Sequence, residues 1–217
     1  MLPILACLFG IFVILVAAEL LSEHKVLKGE YPRKFVHITA GTFIAFWPWL
    51  ISWQAIRWIG VTMLLVVLIN HRVRLFRFHS TLGRQTYGDI IYASAITLTA
   101  LLTDEAIFFA LAMLNLALAD GLAAIAGKLY GGRWTYKIFG HTKSIIGTMT
   151  FWLTSLFILG VGALFAHDLI DFYPYVVLII FLPPILALTE NISVGGLDNL
   201  FIPLIVLYAL NLAQAAS

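Results

Sequence analysis

The sequence is short of charged residues and has a single cysteine, and each shortage excludes a class of protein. Only 11% of its 217 residues are charged while 62% are hydrophobic, whereas soluble domains are about a quarter charged and about half apolar. Cys7 alone cannot form a disulfide framework or a thiol metal site. The net charge of +2 gives no reason to expect nucleic acid as a partner. What remains is a polytopic membrane protein surrounded by membrane lipids.

Apolar runs long enough to cross a bilayer recur along the chain, since a span needs about 20 helical residues. We predict an all-α membrane helix bundle of about eight transmembrane helices, with seven or nine as alternatives. A single membrane domain accounts for residues 1–217. Pro183 and Pro184 predict a kink or break in the seventh helix, and the tryptophans of WPWLISWQ predict an aromatic belt at the membrane interface. The predicted spans are residues 2–21, 35–50, 58–70, 87–103, 106–126, 144–166, 173–189 and 197–213.

Basic residues fall almost entirely in alternate connections between these spans. Of the 13 lysines and arginines, all but Arg57 lie between helices 1 and 2, 3 and 4, or 5 and 6. The opposite connections carry Asp104, Glu105, Asp168 and Asp171. Because Lys and Arg in short loops stay in the cytoplasm, we predict that the basic connections face the cytoplasm. Both termini are then expected on the other side of the membrane.

Asp120 is an acid inside an apolar predicted helix, in the stretch ADGLAAIAGKLYG. It shares a helix face with Ala123, Ala124 and Gly127, a groove of small residues that allows close approach. An ionisable residue in a membrane span is costly unless it serves a function. We interpret Asp120 as a Mg²⁺ ligand, because hard cations prefer oxygen donors. The alternative is a structural ion pair with a lysine or arginine.

The connection over residues 127–143 combines glycines with basic side chains, among them Lys128 and Lys143. Glycines let the backbone bend around phosphates, and lysine supplies a compact charge. The next helix, opened by Ser144, adds N–H groups and the positive end of its dipole, with Gly147 and Thr148 one turn further on. The connection is not a Walker loop, because the order GxxxxGK[ST] is absent. We predict a phosphate site here, with an anchor to anionic lipid as the alternative.

Two other polar stretches begin predicted helices. In YPRKFVHITAG, the cationic or titratable residues Arg33, Lys34 and His37 lie at helical spacing and suit a phosphate clamp. The alternative for His37 is a packing role, which is common for a lone histidine in a membrane span. In GRQTYGDIIYAS, Arg84, Tyr87 and Asp89 form a similar start to helix 4.

Helices 7 and 8 are joined by a Gly-Gly turn that carboxylates flank on both sides. Glu190 ends helix 7, and Asp198 with Asn199 begins helix 8. These residues can add metal or ribose contacts to those of Asp120. Asp198 is equally suited to cap the N-terminus of helix 8.

The motifs RKFVHITAG, RQTYGDIIY, ADGLAAIAGKLYG, HTKSIIGT and ENISVGGLDNLFIP, in this order, resemble the CTP-dependent lipid-alcohol kinases. This family includes dolichol kinase, phytol kinase and the CTP-using diacylglycerol kinase, and the chain is closest in size to phytol kinase and prokaryotic members. The resemblance implies transfer of the γ-phosphate of CTP, with Mg²⁺, to an isoprenoid or lipid alcohol such as phytol, a polyprenol or dolichol. The reaction would take place at the cytoplasmic membrane face.

The motifs and the resemblance together give a set of predicted site residues. The predicted catalytic residues are Asp120, Lys143 and His37. The predicted nucleotide-binding residues are Gly127, Lys128, Lys143, Ser144, Gly147, Thr148, Arg33, Lys34 and Asn199. The predicted metal ligands are Asp120, Glu190 and Asp198. The base that receives the alcohol proton is left open between His37, Asp89 and Glu190.

Two other functions fit parts of the pattern. A CDP-lipid synthase would also use an acid and a basic, glycine-bearing loop, but it would react at the α-phosphate of CTP and release pyrophosphate. A transporter could use a buried acid and a broken helix for an ion path. Against the transporter, the polar residues cluster at one face and do not form a chain across the membrane.

Overall fold

The computed structural model describes residues 1–73 and 87–217. Arg84, predicted to contribute to the polar start of the fourth helix, lies outside the described residues. In the described part, eight helices follow one another and a β-hairpin is inserted after the fifth. The helices are α1 (Leu2–Glu23), α2 (Tyr31–Ala45), α3 (Trp53–Val73), α4 (Gly88–Leu102), α5 (Ala106–Tyr130), α6 (Ile145–Ala166), α7 (Phe172–Ile192) and α8 (Asp198–Ala215). The antiparallel hairpin consists of β1 (Thr135–Ile138) and β2 (His141–Ser144).

Six of these helices are long and apolar enough to span a membrane, which confirms an integral membrane protein of the all-α class. The helices α2 and α4 have 15 residues each. At 1.5 Å per residue they are about 22 Å long, short of the roughly 30 Å of a bilayer core. The count of transmembrane helices therefore stands at six candidates by length and composition, with two shorter helices packed among them.

The centre of the bundle is α5. In its most apolar stretch of 18 residues, 72% of the residues are buried, compared with 11% in the corresponding stretches of α1 and α3. One face of α5 packs Phe108 and Leu111 into a cluster with α6, α7 and α8. Another face packs Phe109 and Met113 into a second cluster with α1 to α4. A helix that is apolar all round is expected to be buried. Because α5 belongs to both clusters, it joins the two halves of the bundle.

A π-helical turn, Asn115–Ala119, interrupts the regular winding of α5 directly before Asp120. Such a turn holds one more residue than an α-helical turn, so it rotates the faces that follow it relative to those before it. The side chain of Asp120 therefore leaves α5 in a direction that a 3.6-residue period does not predict.

Two sequence expectations about the apolar segments are corrected. The seventh helix was expected to be kinked or broken at its prolines, and a break is wrong, because α7 continues through Pro183 and Pro184. Packing explains this continuity, since Leu182, Pro183 and Leu186 are buried in the bundle. Trp47, predicted to join an interfacial belt, is 2% exposed and lies in the core, whereas Trp49 is 54% exposed.

Candidate functional site

A cavity of about 870 Å³ opens at the end of the bundle where α5 ends and α6 begins. Its volume lies in the range of about 300–1,000 Å³ that is usual for small-molecule sites. It is lined by α2, α5, α6, the hairpin, the end of α7 and the start of α8. All the predicted site residues line it: Arg33, Lys34, His37, Asp120, Gly127, Lys128, Lys143, Ser144, Gly147, Thr148, Glu190, Asp198 and Asn199. The folded chain thus brings together residues that the sequence places on five separate segments.

Three carboxylates from three helices meet in this cavity: Asp120 of α5, Glu190 of α7 and Asp198 of α8. One oxygen from each lies within 4.8 Å of the others. Asp120 and Glu190 are buried, and Oδ1 of Asp198 is buried without a hydrogen-bond partner among the described residues. Like charges this close repel one another strongly where water is scarce. The unpartnered oxygen and the all-oxygen donor set fit a hard divalent cation such as Mg²⁺.

Asp120 is held by two side chains of α2. Nζ of Lys34 donates to its Oδ2 at 2.6 Å, and Nε2 of His37 lies 3.2 Å from the same oxygen. The same Nε2 is 3.0 Å from the carbonyl oxygen of Leu116. Because a carbonyl only accepts, Nε2 carries a proton and only Nδ1 of His37 can accept one. The ion pair considered as the alternative for Asp120 is therefore present, and it fixes the acid at the cavity wall.

Lys143 pairs with the second carboxylate of the cluster. Its Nζ donates to Oε1 of Glu190 at 2.5 Å and to the carbonyl oxygen of Glu190 at 3.0 Å. The predicted phosphate lysine is thus bound to an acid of the cluster, so an arriving phosphate would share or replace this contact. Lys34 and Lys143 are partly buried, and each has a carboxylate partner in the cavity that offsets its charge.

The remaining predicted cations lie nearer the rim. Arg33 is paired with Glu30 at 2.7 Å, and the ammonium group of Lys128 lies 4.8 Å from the centre of the Tyr31 ring. Both line the cavity, so they add positive charge around its opening.

The start of α6 is built as the sequence predicts, with Ser144 as its N-cap. Oγ of Ser144 accepts from the N–H of Gly147 at 3.0 Å, and the N–H of Ile145 donates to the carbonyl of Trp134 at 3.0 Å. These two N–H groups are therefore used within the protein and are not open to a phosphate. That this helix end contributes phosphate contacts stays a prediction, which these two N–H groups do not support.

Comparison with known proteins gives one informative match. A phytol kinase from Synechocystis sp. is 31% identical over 201 residues, which cover 88% of this chain and 82% of that protein. The chain belongs to the phytol kinase family of lipid-alcohol kinases. No protein-family profile matches the chain, and no solved structure matches it. The family assignment that the ordered motifs indicated is thereby confirmed.

In this member of the phytol kinase family, two of the predicted site glycines allow close packing between helices. A Cβ on Gly127 would lie 2.9 Å from Oγ of Ser144, and one on Gly147 would lie 3.1 Å from the carbonyl oxygen of Ala123. These two glycines let α5 and α6 touch beside the cavity. Gly132 and Gly140, expected to bend around phosphates, have φ values of 47° and 80°, shape the turns next to the strands and do not line the cavity.

Sequence reasoning missed the hairpin and its attachment to the bundle. The hydroxyl of Tyr136 in β1 contacts Thr148 of α6 and donates to Oδ1 of Asn191 in α7. The alternation of polar and apolar residues in TYKIFGHTKS, with a glycine near its centre, is the signal that could have predicted a hairpin.

At the start of α4, Tyr87 lines the cavity and Asp89 does not.

Proposed function

We propose that this protein is a CTP-dependent kinase that phosphorylates the hydroxyl of an isoprenoid or lipid alcohol, of the phytol, polyprenol or dolichol-like class. The observation that carries the proposal is the meeting of three carboxylates with Lys34 and Lys143 in one cavity. Kinship with a phytol kinase supports phosphate transfer to an isoprenoid alcohol. The choice of CTP rests on the resemblance of the ordered motifs.

The proposed metal ligands are Asp120, Glu190 and Asp198. When bound there, Mg²⁺ would offset negative charge on the phosphate oxygens. Lys34 and His37 keep Asp120 in place through the contacts at 2.6 and 3.2 Å.

The proposed phosphate contacts come from Lys143 inside the cavity and from Arg33 and Lys128 at its rim. In the reaction, the alcohol oxygen forms a bond to the γ-phosphorus while the bond to the bridging oxygen breaks, and CDP leaves. The alcohol proton passes to a carboxylate of the cluster. Asp89 is less suited to this role because it does not line the cavity. His37 could accept the proton only at Nδ1.

We also propose that the cavity faces the cytoplasm, where nucleotides are available. The alternate distribution of lysine and arginine supports this orientation. The tail of the alcohol would remain among apolar helices, so that only its hydroxyl has to reach the polar cavity.

A panel of donors and acceptors tests the proposal with purified protein in lipid nanodiscs. CTP, ATP, GTP and UTP are each combined with Mg²⁺ and with phytol, farnesol, geranylgeraniol, a polyprenol or diacylglycerol, and products are identified by mass. We expect CTP and an isoprenoid alcohol to give CDP and the alcohol monophosphate. Release of pyrophosphate with a phosphatidic-type acceptor would instead establish a CDP-lipid synthase.

A further inference from the structure

The β-hairpin carries Lys143 into the cavity, and a second residue of the hairpin is placed to control that lysine. In the hairpin register, Tyr136 of β1 is directly opposite Lys143 of β2. Directly opposed residues of antiparallel strands project from the same face of the sheet. The two side chains therefore approach α7 side by side.

Both side chains end on adjacent residues of α7. Lys143 donates to Glu190, while the hydroxyl of Tyr136 donates to Oδ1 of Asn191 at 2.5 Å. The hairpin is thus fixed to the end of α7 at two neighbouring points, one charged and one neutral. Thr148 of α6 reinforces the neutral point, because its hydroxyl lies 3.2 Å from the same Oδ1.

The orientation of the Asn191 amide is determined by its other contact. Nδ2 of Asn191 donates to the carbonyl oxygen of Ala187 at 2.7 Å. Because that carbonyl only accepts, the amide oxygen has to face Tyr136 and Thr148. Asn191 is also buried, so the attachment point for Tyr136 is rigid.

The two attachment points respond differently to a bound phosphate. An anion attracts Lys143 and competes with Glu190 for its ammonium group, so the charged contact is altered by the ligand. The contact between Tyr136 and Asn191 carries no net charge and is unaffected. We propose that Tyr136, through Asn191, is a positioning residue that keeps Lys143 at the cavity when its contact with Glu190 is exchanged for a phosphate. This inference rests on the proposed function, in which Lys143 binds the phosphates of the donor.

Kinetics of Tyr136→Phe test the inference, with Tyr173→Phe as the matched control because Tyr173 is 80% exposed at the start of α7. We expect Tyr136→Phe to lower kcat/KM for CTP by about threefold to tenfold, the effect of one neutral hydrogen bond. The KM for phytol should stay at the wild-type value. Tyr173→Phe should match the wild type throughout.

A double variant separates positioning from general loosening. In an Asn191→Ala background, Tyr136→Phe should cause a smaller loss than in the wild type, since the contact with Asn191 is already gone and only the one with Thr148 remains. A drop of equal size in both backgrounds would overturn the inference, as would wild-type kinetics for Tyr136→Phe.

Hydrogen exchange gives a readout that does not need turnover. Amides of residues 141–144 should exchange faster in Tyr136→Phe than in the wild type, and unchanged exchange would overturn the inference. If the wild type transferred no phosphate from CTP, the proposed function would fail while this measurement still decided whether Tyr136 fixes the hairpin.

Discussion

The two ends of the helix bundle hold their charged residues in opposite ways. Where α4 leads into α5, Arg57 pairs with Asp104 at 2.5 Å, and the two side chains are 32% and 72% exposed. At the other end, Asp120 and Lys34 pair at 2.6 Å with side chains only 6% and 15% exposed. An exposed pair costs little and contributes about 0–1 kcal/mol, whereas buried charges have to be compensated at considerable cost. Similar ion pairs are thus exposed at one end and buried beside the cavity at the other.

Replacing the acid of each pair should give the largest difference between the two ends. We expect Asp120→Asn to lower kcat/KM for CTP by about a hundredfold to a thousandfold, because it removes a ligand of the metal ion proposed to offset charge on the reacting phosphate. It also leaves Lys34 buried without its partner, which should destabilise the fold by about 3–5 kcal/mol. Activity and unfolding midpoint are measured in parallel.

Asp104→Asn is the matched control for that change. Its turnover and unfolding midpoint should remain close to the wild-type values. If both asparagine variants lost activity equally, the distinction between an anchoring end and a functional end would be lost.

Replacing one cation at each end should give a smaller difference. Lys143→Ala removes a charged donor from the cavity, so kcat/KM for CTP should fall by about tenfold to a hundredfold. Arg57→Ala should leave it unchanged, because the hydrogen bonds of Arg57 within the described ranges, to Asp104 and to the carbonyl of Ala100, lie at the far end. Steady-state kinetics with varied CTP measure both. Full activity of Lys143→Ala would remove this lysine from the proposed site.

Two glycines of α6 differ in how closely neighbouring residues approach them. A Cβ on Gly147 would lie 3.1 Å from the backbone oxygen of Ala123. Apart from the adjoining backbone of α6 itself, no atom of the described residues lies within 4 Å of a Cβ on Gly160. Gly147→Ala should therefore lower the free energy of unfolding by about 1–3 kcal/mol. Gly160→Ala should be neutral or stabilising by up to about 1 kcal/mol, because alanine favours the helix. Denaturant unfolding in detergent compares them, and an equal response would contradict the packing account.

The side of the membrane that the cavity faces can be tested by thiol labelling, without an activity assay. In a Cys7→Ala background, Phe139→Cys places a thiol at the hairpin, where Phe139 is 74% exposed. Asp168→Cys places a thiol in the connection between α6 and α7. An impermeant thiol reagent added outside intact cells should label Asp168→Cys and spare Phe139→Cys. The reverse pattern would place the cavity outside the cytoplasm.

The sequence predicted the members of the cavity better than their arrangement. Asp120 and Glu190 stand out because acids are rare in apolar segments, and Lys143 stands out beside Ser144 at a helix start. Their meeting depends on how α5, α7 and α8 pack, which local patterns do not encode. The pairing of Lys143 with Glu190 could not be predicted for the same reason.

Local signals were missed or outweighed in three places. The hairpin was missed because its strands of four residues each lie within a basic connection. The π turn Asn115–Ala119 lies within an apolar run that has no helix-breaking residue. The prolines of α7 predicted a kink or break, but the helix is continuous through both of them and packs against α6 and α8.

The central claim is that the cavity transfers the terminal phosphate of a nucleotide to a lipid alcohol. The most direct measurement supplies purified protein with CTP carrying a labelled γ-phosphate, Mg²⁺ and phytol, and follows the label by chromatography. The account predicts that the label appears in phytyl phosphate with the wild type and is lost with Asp120→Asn. Label recovered in pyrophosphate, or equal transfer by both proteins, would contradict it.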